Sequence, residues 1–168
     1  MGIYRSVKAV LTVVCVTLSA NSWSACNDLS RVGDAELNWL FFKVYDAELR
    51  SPSGTHRADD ERCLELTYAM SITRDDLLES TNETLSELQF ASADIDRWLA
   101  HLDDIYRDVE SGDRFSVRVS SAGSAEFYLN SVPVGSVDDP TFGDAFLAIW
   151  LSDNGRYPKL AKRLKGES

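Results

Sequence analysis

Residues 125–151 read AEFYLNSVPVGSVDDPTFGDAFLAIWL, and this stretch decides the fold because it spells a strand, a tight turn, a second strand and a helix in succession. Phe127 and Leu129 fall on one face of the first strand, since alternate residues of a strand point the same way. Asn130-Ser131 supplies the turn, Asn being the residue after Gly that best tolerates positive φ. Val132 to Val137 returns, and Pro133, which cannot donate to a ladder, predicts an edge strand. Asp138-Asp139-Pro140 predicts a helix start, an acidic cap followed by proline where a missing N–H is harmless. Phe142, Ala145, Phe146, Ile149 and Trp150 recur at the i, i+3, i+4 spacing of one helix face. Asn154-Gly155 predicts a left-handed close to that helix. A sheet layer and a helix layer are both present, so the fold class is α+β.

The remaining text repeats those two layers. Before the stretch, Phe115, Val117 and Val119 alternate in a strand from Arg114 to Ser120, turned back by Ser121-Ala122-Gly123-Ser124. Leu64, Leu66, Tyr68 and Met70 share one side of a strand from Cys63 to Met70. From Val32 to Arg50 the text is strand-like but broken in the middle. There Leu40-Phe41-Phe42 predicts a bend or bulge where the alternation changes phase. Beyond it Phe41, Lys43, Tyr45, Ala47 and Leu49 share the mainly apolar face. An ammonium buried alone is costly, so Lys43 must snorkel, pair or meet a ligand. Thr73 and Asp76 predict a capping box for a helix with Leu77, Thr81, Leu85 and Leu88 inward. Ser92 is read as the cap of the next helix, striped by Ile95, Trp98, Leu99, Leu102, Ile105 and Tyr106. Tyr157-Pro158 opens a last helix carrying Leu160 and Leu164, whose basic end suits the helix dipole.

Three ordered blocks, FFKVYDAELR at 41–50, LELTYAMSITRDDL at 64–77 and FYLNSVPVGSVDDPTFGDAFLAIWL at 127–151, resemble the bacterial chalcone isomerase-like family over residues 32–164. The resemblance implies an open-faced β-sandwich, a large antiparallel sheet covered by a layer of helices. It does not imply isomerase activity, because fold and chemistry separate readily. Plant relatives include true enzymes and non-catalytic fatty-acid binders.

Residues 1–24 are read as a signal peptide and 25–168 as the single domain. Arg5 and Lys8 precede an apolar run from Ala9 to Leu18, too short for the roughly 20 residues a spanning helix needs. A membrane anchor and a lipoprotein signal at Trp23-Ser24-Ala25-Cys26 are the alternatives. Taking Arg5 and Lys8 from the 17 basic residues leaves 15 against 27 acidic, a formal charge of −12. Such a surface repels phosphate backbones, which argues against nucleic acid, and disfavours anionic membrane surfaces. Cys15 leaves with the leader, so Cys26 and Cys63 remain, and an even pair in an exported chain reads as a disulfide, with two free thiols as the alternative. The localisation this implies is periplasmic or secreted. The two histidines, His56 and His101, and the cysteines lack zinc-site spacing, so no metal and no cofactor are expected.

GxSxG, GxGxxG and the P-loop pattern are all absent, and acid pairs such as Asp75-Asp76 and Asp103-Asp104 read as solvated helix faces. Resemblance to the plant enzymes implies a catalytic set of an arginine before the long early strand, with a threonine and a tyrosine around the cleft. Here Asp34 and Glu36 stand near the arginine's place with Arg31 close by, Tyr45 stands where the threonine would, and residues 80–85 contain no tyrosine. No catalytic residue is assigned. The expected function is binding of a small amphiphile such as a fatty acid, with an isomerase or lyase acting through Tyr45, or a ligand-free accessory factor, as alternatives. The expected site is a pocket between sheet and helices lined by Phe41, Tyr45 and Tyr68, helped by Trp98, Phe146 and Trp150. Lys43 is expected to guard its polar end, since a cation beside a phenol can hold a carboxylate.

Overall fold

Six strands follow one another in chain order across one antiparallel sheet: β1 (Ser30–Trp39), β2 (Phe42–Ser51), β3 (Arg62–Tyr68), β4 (Arg114–Val119), β5 (Ala125–Leu129) and β6 (Val132–Val137). The structure, a computed structural model, describes residues 25–167, and the expected leader lies outside them. Helices α1 (Arg74–Glu87) and α2 (Ser92–Ile105) are inserted between β3 and β4, and α3 (Phe142–Leu151) and α4 (Pro158–Leu164) follow β6. This is the expected α+β architecture, an open sheet with a helix layer.

The helix-facing side of the sheet is apolar because the alternation is sustained across paired strands. Tyr45, Ala47 and Leu49 lie opposite Tyr68, Leu66 and Leu64, and these continue to Phe115 and Val117 and then Phe127. Phe127, Phe142 and Phe146 are fully buried, their rings 5.2–6.0 Å apart. Each such side chain contributes about 1.5–3 kcal/mol relative to leaving it in water. Trp98 sits in the same cluster, edge-on to Phe90 and to Phe142. At Gly33 a side chain would strike the Arg163 and Leu164 carbonyls, so glycine there is what lets α4 lie against β1.

The opposite face is polar and carries the N-terminal turn. Cys63, Glu65 and Thr67 point there, and Cys63 is bonded to Cys26 with their Cα atoms 5.6 Å apart. Leu29 completes this small second cluster. Arg118 binds both Asp28 carboxylate oxygens and the Ala25 carbonyl, and Arg50 donates to the Leu29 carbonyl.

Local signals were mostly sound. Asn130 and Ser131 both take positive φ, 51° and 70°, as a two-residue hairpin requires. Pro133 is on the edge strand β6. Thr73 caps α1 by accepting from the Asp76 N–H and donating to its carboxylate.

Four readings are corrected. Leu40-Phe41-Phe42 is no bulge within one strand: Leu40 and Phe41 form the turn of a β1–β2 hairpin, Leu40 at φ 56°. The helix after β6 starts at Phe142, two residues later than Pro140, although Asp139 does act as the acidic cap by accepting the Thr141 N–H and hydroxyl. That helix ends on an extended Ser152 rather than at Asn154-Gly155. Helix α2 begins after Ala91, so Ser92 is its first residue and not its cap.

Candidate functional site

A cavity of about 570 Å³ opens between the tip half of the sheet and the helix layer, within the roughly 300–1,000 Å³ of small-molecule sites. Strands β1 to β4 supply Leu37, Tyr45, Leu66, Tyr68 and Phe115; α1 supplies Leu77, Thr81 and Thr84; α3 supplies Ile149 and Trp150. The lining is apolar because it is the uncovered end of the same face that forms the core. Helix α1 presents hydroxyls there in place of a leucine stripe, and these do not fill the space.

Those hydroxyls differ in what their protons are doing. Thr81 donates to the Leu77 carbonyl and Thr84 to the Ser80 carbonyl, each back onto its own helix. With the Thr81 proton so used, the Tyr106 hydroxyl, 3.0 Å away, must be the donor of that pair. The Tyr45 oxygen accepts from the Trp150 indole at 3.0 Å, which leaves its own proton without an acceptor. Tyr68, 5 % exposed, has no hydrogen-bond partner for its hydroxyl among the described residues. Tyr45 and Tyr68 are cross-strand partners with rings 5.9 Å apart and edge to face. Two phenol donors therefore face one apolar cavity with no acceptor for their protons among the described residues. Burial pushes both phenols well above their ordinary pKa, so both keep their protons at neutral pH.

At the rim, Arg156 reaches in from the loop between α3 and α4. Its guanidinium donates to both carboxylate oxygens of Glu87, one contact at 2.5 Å, and to Glu83 at 3.5 Å. These contacts tie that loop to α1 and raise the arginine's pKa further above its ordinary value, the hydrogen bond to Glu87 being the leading cause. Asp76, Met70 and Tyr157 complete the mouth, with Trp39 from the hairpin.

Of the seven site residues expected from sequence, Tyr45, Tyr68 and Trp150 line this cavity. Trp98 and Phe146 do not: they belong to the aromatic core beside it, and the Trp98 indole donates to Asp139. Phe41 is 96 % exposed at the hairpin turn. Lys43 lies on the outer face, where its ammonium pairs with Glu36 at 3.0 Å and Asp46 at 2.7 Å. The cause is an extra residue in β2: Leu37 faces Tyr45 while Asn38 faces Lys43, so Val44 bulges toward the cavity and reverses the side of Lys43. The cation at the cavity is Arg156. No local pattern marked it, because its place depends on contacts with α1 roughly seventy residues earlier.

A family model described as chalcone isomerase-like matches residues 38–166. An uncharacterized protein of Haemophilus influenzae is 27 % identical over 139 residues, covering 82 % of this chain and 68 % of that protein. Among solved structures, an Arabidopsis thaliana fatty-acid binding protein superposes with a TM-score of 0.61 at 12 % identity, covering 82 % of this chain and 91 % of that one. At that identity the likeness concerns the fold alone, and it is the fold built above: a six-stranded open antiparallel sheet under helices. The family match spans well over half the sequence, and the chain belongs to the chalcone isomerase-like family.

Proposed function

We propose that this protein is an exported, non-catalytic binder of a fatty acid or similar single-chain amphiphile. The observation that carries this is the apolar cavity lined by two phenol hydroxyls, Tyr45 and Tyr68, whose protons have no acceptor among the described residues. A ligand's carboxyl or carbonyl oxygen in the cavity would accept from both hydroxyls at once while its chain fills the apolar remainder. The fatty-acid binding protein that shares the fold supports the ligand class. The Cys26–Cys63 disulfide supports an oxidising compartment, and among the described residues no helix is long and apolar enough to cross a membrane. An isomerase or lyase working through Tyr45 is the weaker reading, because an acid or base should titrate near the working pH and burial moves this phenol away from it.

Solvent extraction and mass spectrometry of the purified protein identify what it carries, and titration of the stripped protein with a fatty acid measures affinity. Tyr68→Phe is expected to weaken binding roughly tenfold, the scale of one hydrogen bond to a charged or strongly polar acceptor. Its thermal midpoint should stay unchanged, since no protein partner is lost. Absence of any extracted amphiphile, with no uptake by either protein, would overturn the reading.

A further inference from the structure

The turn between β1 and β2 is built from residues that turns avoid. Trp39, Leu40, Phe41 and Phe42 are 63, 72, 96 and 66 % exposed. Leu40 holds φ at 56°, a conformation that favours glycine or asparagine and strains a branched apolar side chain. Trp39 and Phe42 face each other as a cross-strand pair, but Leu40 and Phe41 in the turn itself project into solvent. Such strain persists where it serves a function.

The same end of the molecule holds the other exposed apolar groups. Met70 follows β3 and Val132 opens β6, both at the tip end of the sheet, and Met70, Tyr157 and Trp39 also line the cavity mouth. Trp39 thus belongs to both the tip and the mouth. Lys43, the cation nearest the tip in sequence, is neutralised by Glu36 and Asp46, and the chain as a whole is formally −10. Arg156, the cation at the cavity mouth, is likewise paired with Glu83 and Glu87, and the net negative charge disfavours anionic headgroups.

We propose that the Trp39–Phe42 hairpin tip inserts into a lipid surface that is zwitterionic, bringing the cavity mouth to the bilayer so that an amphiphile passes between them without crossing water. This rests on the amphiphile-binding reading for its purpose but not for the docking itself. The convex shape of a two-residue turn favours lipid over a protein partner: fluid hydrocarbon closes around a protruding tip, whereas a stable protein interface needs roughly 800 Å² of complementary surface on each side. Tryptophan at the base of the tip suits the headgroup level, with Leu40 and Phe41 beyond it in the acyl region.

The test is flotation of the purified protein with phosphatidylcholine vesicles, comparing wild type with Leu40→Ser/Phe41→Ser, both forms bearing the same N-terminus as read by intact mass. Wild type is expected to float, with partitioning reduced tenfold or more in the variant, and to lose, not gain, binding as phosphatidylglycerol replaces phosphatidylcholine. Fatty-acid uptake from aqueous solution should be equal in the two proteins. Wild type that takes up fatty acid from solution yet never floats, or floats as well with the variant tip, overturns the docking and leaves the ligand reading standing. Tip-dependent flotation without any fatty-acid uptake sustains the docking and removes the ligand reading. A tip-dependent dimer by sedimentation, with no vesicle binding, makes the occupant a second copy and overturns the proposal.

Discussion

The Trp150 indole N–H donates to the Tyr45 hydroxyl at 3.0 Å, joining α3 to β2 across one wall of the cavity. The two residues are 105 positions apart, and the contact sets the depth at which the helix layer stands over the tip half of the sheet. Replacing Tyr45 by Phe leaves the indole donor without its acceptor in a mostly buried site, and the expected loss is about 1–3 kcal/mol. Trp150→Phe should be destabilising as well, and the double variant should recover about 1 kcal/mol relative to the sum. A double-mutant cycle by urea denaturation checks this; purely additive effects would show that the bond does not hold the layers.

The Cys26–Cys63 bridge closes a separation of 37 residues. On the chain-entropy model such a loop contributes roughly 4 kcal/mol. Cys26→Ala/Cys63→Ala should lower the unfolding free energy on that order. It should leave the cavity's affinity unchanged, because the bridge sits on the outer face of the sheet. Denaturant midpoints with and without reductant, paired with ligand titrations, read both halves. A change in affinity would mean that the outer face controls the cavity.

Asp139 gathers the Thr141 N–H and hydroxyl, the Trp98 indole and the Arg97 guanidinium. These hold its carboxyl far below the ordinary carboxylate range, the Thr141 hydroxyl being the leading cause. In this group the folded state binds fewer protons than the unfolded one. Its stabilisation is therefore complete above about pH 4, the unfolded value, and is lost as pH falls below it. Asp139→Asn should lower the urea midpoint at pH 7, and the gap from wild type should narrow from pH 4 toward pH 2. A gap of constant size across that range would assign the role to shape and not to charge.

Much of this protein was legible in residue order alone. Alternation placed Tyr45, Ala47, Leu49, Leu64, Leu66 and Tyr68 on the helix-facing side, where they are buried. Asn130-Ser131 and Pro133 marked a hairpin and a sheet edge from their own backbone preferences, and Thr73 with Asp76 marked a helix start. Helix stripes put Trp98, Phe146 and Trp150 against the sheet. These are short-range properties: each depends on a residue's stereochemistry or on a period of two or 3.6, so the local text carries them.

The site depended on events that short windows do not record. The break at Leu40-Phe41-Phe42 was legible but not that it is a hairpin turn, because Leu40-Phe41 has none of the chemistry that turns ordinarily require, and the bulge at Val44 then sent Lys43 to the outer face. Trp98 and Phe146 share a helix-facing direction with Trp150, yet whether a side chain closes the core or borders the cavity depends on how far the helices extend over the sheet. Arg156 reached the mouth through Glu83 and Glu87 of another helix. The free protons of Tyr45 and Tyr68 emerged only when every neighbouring donor and acceptor had been placed. Sequence determined which faces are apolar; tertiary structure decided where that apolar surface was left uncovered, because a one-residue change of register reverses a side chain and only packed layers show which hydrogen bonds are unmade.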